Sequence, residues 1–165
     1  MRTFALIGAS ALGKSPFVAD LIGALRIEGL SVSAVKRAPD GFDLDQPGKV
    51  SYVRREAGCR EVMLVGDRRM VLMHEYGAEA EPALEMLLGR LADVDVVVVE
   101  GFRSARLPAI EVCVPSRGRP MRWPNDPQVF AVVSDEAVAT GLPVFRPADA
   151  AGLADCVIER LGLRR

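Results

Sequence analysis

The chain has 165 residues, 50% of them hydrophobic and 26% charged, with a formal net charge of −1. That supplies enough apolar material for a sizeable core and excludes general disorder, while the near-zero charge argues against broad binding to nucleic acid or an anionic membrane. No apolar run is long enough for a signal-peptide core or a membrane span, so one cytoplasmic domain covering 1–165 is expected.

"TFALIG" is a short apolar run ending at glycine, as buried parallel strands do. Val18, Leu21, Ile22 and Leu25 then recur at helical spacing up to Gly29. "LSVSAVK" alternates as a second strand, completing a βαβ unit. "RAPDGFDLDQPG" is a surface loop rich in Pro, Asp and Gly, and "KVSYVRREAG" is a short helix closed by Gly58. Two β-rich runs flank the turn "GDRR" in "EVMLVGDRRMVLMHEY", a hairpin whose edges at 61–74 are either exposed for pairing across a two-fold axis or buried. Ala80, Ala83, Leu84, Leu87, Leu88 and Leu91 predict an amphipathic helix over 80–92.

"DVVVVEGF" is a fully buried strand running into an acid and a glycine, with Asp95 at its solvated start. "LPAIEVCV", "QVFAVVSD" and "LPVFRP" are further strands, and "SRGRPMRWPND" is a basic loop. The chain closes on a helix capped by Asp149. This alternation predicts an α/β fold, a mostly parallel sheet flanked by helices, with a β-hairpin insertion. The cysteines at 59, 113 and 156 are scattered and suit neither a disulfide framework nor zinc, and the one histidine, His74, reads as structural.

Chemistry concentrates in "GASALGKSPF", which matches G-x-x-x-x-G-K-[ST] from Gly8 to Ser15 between a strand and a helix. In such a loop, backbone N–H groups cradle an anion and the helix N-terminus adds partial positive charge. Gly8, Ala11, Leu12, Gly13, Lys14, Ser15 and Pro16 are the candidate nucleotide-binding residues. Lys14 would neutralise the β- and γ-phosphates, and the Ser15 hydroxyl would coordinate Mg²⁺. Lys14 is one of three lysines, with Lys36 and Lys49, among 21 basic residues, and a lysine offers phosphate a compact ammonium.

Two residues are unusual for this loop. Ala11 stands where glycine is common, and Pro16 has no N–H to give the α-phosphate. One lost charge-assisted hydrogen bond costs about 1.5 to 3 kcal/mol. Glu100, at the end of the buried valine strand, is the candidate metal-orienting carboxylate and, with Lys14, the candidate catalytic pair; Gly101 would let backbone approach a γ-phosphate. Asp40, Asp43 and Asp45 form an acidic loop that could reach Mg²⁺, with Asp43 favoured. Asp135 could accept two hydrogen bonds from guanine or cap a following helix.

Taken in order, "GASALGKS", "VKRAPDGFDLDQPGKVSYVRREAG", "DVVVVEGFR", "LPAIEV" and "VFAVVSD" resemble the MobB family over nearly the whole chain. The resemblance implies a P-loop NTPase-like fold, a homodimer, and GTP binding with Mg²⁺ and at most slow hydrolysis. It also implies an accessory role beside the guanylyltransferase that completes the molybdopterin-guanine dinucleotide cofactor. Lys14, Lys36 and Lys49 fall on family-like positions, whereas Arg37 and Asp40 stand where the family pattern K-H-x-x-H-G-F has histidines. The alternative reading is a non-hydrolysing scaffold whose loop is impaired by Ala11 and Pro16. A nickel-delivery GTPase fits poorly with one histidine, and "SRGRPMRW" is the nearest thing to a kinase lid.

Overall fold

The computed structural model describes residues 1–8, 14–39, 41–42 and 44–163, with Lys14, Ser15 and Pro16 described as backbone. Contacts divide the chain into two compact units: one of residues 1–37 and 88–165, the other of residues 38–87.

The larger unit is built on a six-stranded sheet. Its strands are β1 (Arg2–Gly8), β2 (Val32–Lys36), β5 (Val96–Glu100), β6 (Ala109–Val112), β7 (Val129–Val133) and β8 (Val144–Phe145), in the order β2-β5-β1-β6-β7-β8. Every pairing in it is parallel. Parallel strands cannot be joined by tight hairpins, so their carboxyl ends, with the loops that leave them, gather along one edge.

Side-chain alternation gives the sheet two different faces. Phe4, Leu6, Val96, Val98, Ile110, Val112, Ala131 and Val133 point to one face. They meet Leu21 and Leu25 of helix α1 (Lys14–Ile27) and Leu153 and Val157 of helix α4 (Ala150–Leu161). The other face carries Ala5, Ala109 and Val129, packed with Ile7, Leu107, Trp123 and Leu142. The register slips by one residue between Ala109 and Ile110 along β7, which lets Val129 and Ala131 serve opposite faces. Helix α4 begins as expected, with the Gly152 N–H donating to Asp149 Oδ1 at 3.0 Å.

The smaller unit holds helix α2 (Val50–Glu56) and a hairpin of β3 (Glu61–Val65) and β4 (Met70–His74). The Gly66 N–H donates to the Arg69 carbonyl, so the turn falls where the sequence puts it. His74 sits opposite Glu61 and pairs with it across the strands at 2.6 Å, a structural role. The hairpin is exposed: Met63, Leu64, Val65, Met70, Val71 and Leu72 all lie open.

Two expectations need correction. The helix expected over 80–92 spans only Leu84–Leu88, as α3. Pro82 has no N–H and disfavours helical backbone at Glu81, and the first turn starts from the Ala83 carbonyl; Gly89 follows the last turn. Asp95 is not a free solvated start. Its Oδ2 accepts from the Ser31 hydroxyl at 2.6 Å and the Ser31 N–H at 2.8 Å, clipping the entry of β2 to the entry of β5.

Candidate nucleotide site

Gly8 ends β1 with φ +96°. A Cβ there would lie 2.1 Å from the Val112 carbonyl oxygen, so only glycine allows β1 to leave the sheet this close to β6. Helix α1 begins at Lys14. The connection between them holds Ala11, Leu12 and Gly13, which lie outside the described residues, as do the side chains of Lys14, Ser15 and Pro16. The frame is a strand, a short connection and a helix that packs back on the same strand, which is the context a phosphate-cradling loop requires.

Glu100 ends β5 beside Leu6 of β1 and Lys36 of β2. Its alternation follows Val96 and Val98, so the carboxylate stands on the face that carries α1. The sheet thus brings Gly8, Lys36 and Glu100 to one edge. Gly101 follows with φ +86°, and a Cβ there would meet the Arg37 carbonyl oxygen at 2.6 Å and the Arg37 Cβ at 2.9 Å. The neighbour that demands glycine at 101 is therefore Arg37, whose N–H also donates to the Glu100 carbonyl at 2.9 Å.

Asp135 follows β7 at the same edge and is exposed. It caps no helix: the next element is β8, and the Glu136 N–H is taken by the Ser134 hydroxyl. Asp40 and Asp43 lie outside the described residues. Asp45 is committed within the smaller unit and is not a metal candidate. Its side chain, 6% exposed, accepts from the Ser51 hydroxyl at 2.6 Å and from Arg55 Nε at 3.1 Å. The Ser51 hydrogen bond is the chief cause holding its carboxyl below the ordinary value; burial opposes it, and Arg55 adds to the lowering. Among the described residues, no group of three or more His, Cys, Asp or Glu side chains comes together in a metal-holding arrangement. Two members of the expected metal set, Asp43 and the side chain of Ser15, lie outside the described residues.

Some organising residues carried no sequence signal strong enough to be singled out. Glu111 sits inside β6, 2% exposed, on the face opposite α1. Its carboxylate accepts from the Arg122 N–H at 2.8 and 2.9 Å and from the Trp123 N–H at 2.8 Å, pinning the basic loop to the sheet. A carboxylate inside an otherwise apolar strand was the available clue. Glu136 holds the Ser116 hydroxyl and N–H, and those two bonds lower its carboxyl from the ordinary value. Burial pushes the Cys113 thiol up, partly opposed by Ser134, which makes it a packing residue rather than a nucleophile.

Comparison with known proteins gives a consistent result. A protein from Escherichia coli K12 described as molybdopterin-guanine dinucleotide biosynthesis adapter protein is 33% identical over 153 residues, 91% of this chain and 87% of the relative. A protein of the same description from Haemophilus influenzae is 30% identical over 142 residues, 84% of this chain and 74% of the relative. The crystal structure of molybdopterin-guanine biosynthesis protein B matches with a TM-score of 0.73 at 25% identity, covering 96% of this chain and 99% of that one. The Bacillus subtilis MobB structure shares the fold, with a TM-score of 0.73 at 19% identity and 98% of each chain covered. Among the described residues, no helix is long and apolar enough to cross a membrane. The family described as molybdopterin guanine dinucleotide synthesis protein B matches residues 3–135, most of the chain and every strand of the larger sheet but β8, and the protein belongs to that MobB family.

Proposed function

We propose that this protein is a guanine-nucleotide-binding accessory factor in the biosynthesis of the molybdopterin-guanine dinucleotide form of the molybdenum cofactor. The observation that carries the reading is the Gly8 strand end, the start of α1 at Lys14 and the Glu100 carboxylate on one edge and one face of the sheet. The curated relatives, named as adapter proteins of that pathway, support the biosynthetic role. In this reading Gly8, Ala11, Leu12, Gly13, Lys14, Ser15 and Pro16 wrap the phosphates. Lys14 neutralises charge on them, Ser15 and Glu100 hold Mg²⁺ with Asp43 as a further ligand, and Gly101 and Asp135 border the nucleotide. Mg²⁺ would supply charge neutralisation between phosphate oxygens; the chain's own part is to position that charge.

Any GTP hydrolysis is slow, because no water-orienting glutamine or arginine finger is assigned. The protein acts as a cytoplasmic homodimer with the guanylyltransferase as its working partner. The exposed apolar hairpin suits the dimer contact: β3 and β4 pair only with each other among the described residues, leaving an outer edge on each.

Calorimetric titration with a non-hydrolysable GTP analogue, with and without Mg²⁺ and beside the ATP analogue, tests this reading. Micromolar, Mg²⁺-dependent and guanine-selective binding is the expected result. No binding at millimolar nucleotide overturns it in favour of a scaffold that keeps the outline of the loop, the reading Ala11 and Pro16 motivate. A Pro16→Thr variant separates the two: a sharp gain in affinity marks an impaired native loop.

A further inference from the structure

The sheet face opposite α1 carries a cavity of about 350 Å³ that the nucleotide reading does not use. Its floor is apolar, formed by Ala5 and Ile7 of β1 with Leu107 and Ala109. Three arginines line it: Arg103 and Arg106 from the β5–β6 connection, and Arg122 from the basic loop. That connection must pass β1 to reach β6, which is how its arginines come to stand over Ala5 and Ile7.

The walls are held in place. Glu111 fixes the backbone of Arg122 and Trp123 through three hydrogen bonds. Arg122 pairs with Asp126 at 2.6 Å, and Asp126 also accepts from the Gln128 N–H. Three guanidinium groups against the one carboxylate of Asp126 leave the lining with two positive charges in excess. Arg103 and Arg106 are exposed, so their guanidinium groups keep solvent access at the cavity mouth.

We propose that this cavity binds a phosphate monoester of a small organic molecule, at a site separate from the strand-end loop. A phosphate monoester near neutral pH carries close to two negative charges, matching the excess. Guanidinium forks meet phosphate oxygens bidentately, which an isolated ammonium cannot do. The apolar floor seats the organic part, and the volume is that of a small-molecule site rather than a polymer groove. The inference stands independently of nucleotide binding at the strand-end loop.

Trp123, the chain's only tryptophan, follows Arg122 and packs against Ala5 and Ala109 of the cavity floor, so its fluorescence serves as the probe. The test is a titration of Trp123 fluorescence with phenyl phosphate and, separately, inorganic phosphate at low ionic strength. The expected result is a saturable response, tighter for phenyl phosphate and weakened by added salt. It should survive Lys14→Ala, which disables the strand-end loop, and weaken about tenfold for each of Arg103→Ala and Arg106→Ala. Asp126→Asn should tighten binding, an outcome that misfolding cannot mimic. No saturable response in the native protein overturns the proposal. So does a response lost in Lys14→Ala and retained when Arg103→Ala and Arg106→Ala are combined, since that assigns the ligand to the strand-end loop.

Discussion

Strand β5 and the β3–β4 hairpin are written in the same aliphatic vocabulary and meet opposite fates. Val96, Val97, Val98 and Val99 are at most 1% exposed, whereas Val65 is 75% and Met70 67% exposed. The difference is the number of neighbours. Strand β5 lies between β2 and β1, and its inner face is covered by helices; among the described residues each hairpin strand pairs only with the other. Aliphatic composition selects strand geometry, but topology decides whether the side chains are covered within one chain. Open apolar surface of this kind is where a contact with another chain would be looked for.

The largest effect that sharpens this contrast comes from truncating one side chain in each region. Leu21→Ala, at a fully buried contact between α1 and the sheet, is expected to cost about 2 to 5 kcal/mol in urea unfolding. Leu64→Ala in the hairpin is expected to stay within about 0.5 kcal/mol at dilutions where the chain is monomeric. Equal losses at every concentration would mean that the hairpin is covered within its own chain. Gly101→Ala comes next, at about 1 to 3 kcal/mol, because it combines positive φ with a Cβ 2.6 Å from the Arg37 carbonyl oxygen. Gly141→Ala is its control: nothing lies within 4 Å of a Cβ there, and a near-neutral change is expected.

The strands and their order along the chain were legible because buried parallel strands are short apolar runs bounded by turn residues. The element boundaries that frame the proposed strand-end site were legible for the same reason: β1 ends at Gly8, α1 begins at Lys14 and β5 ends at Glu100, each where composition marks a change. What was not legible needed three dimensions. Ser31 and Asp95 are 64 residues apart, and only the pairing of β2 with β5 makes them partners. Gly101 follows β5 in sequence, but the close approach of Arg37 that also requires glycine there is set by the pairing of β2 with β5. The apolar periodicity over 80–92 runs through Pro82, where backbone chemistry overrules it and leaves only Leu84–Leu88 helical. Glu111 and the arginine cavity stayed hidden because their residues come from β1, two loops and β6.

A third effect concerns assembly rather than folding. Met63, Val65, Met70 and Leu72 alternate onto one exposed face of the hairpin. Met63→Glu with Met70→Lys places opposite charges there and leaves the backbone pairing intact. If the hairpin joins two copies, sedimentation should show the dimer of the native protein replaced by monomer, with monomer stability changed by less than about 0.5 kcal/mol. A dimer that persists in the double variant would move the contact elsewhere.

The smallest effect is in acid, and it turns on how the smaller unit is held. Asp45 joins Ser51 and Arg55, and Arg55 reaches on to Glu75 at 3.0 Å, tying α2 to the end of β4. Because the folded Asp45 carboxyl titrates below its ordinary value of 3.8, its contribution is complete above that value and is lost as pH falls through the lower folded one. Acid should therefore loosen residues 38–87 at a pH where the larger unit, held chiefly by aliphatic packing, still stands. The chain carries its own reporters for the two units. Both tyrosines, Tyr52 and Tyr76, lie in the smaller unit, and Trp123 lies in the larger. In the native protein the near-ultraviolet tyrosine signal should shift before the tryptophan signal as pH drops below about 4. In Asp45→Asn, which keeps an acceptor for Ser51 but has no proton to take up, that early tyrosine step should shrink while the tryptophan step stays in place. Coincident steps in both proteins would mean that the two units melt as one and that Asp45 does not set the weaker limit.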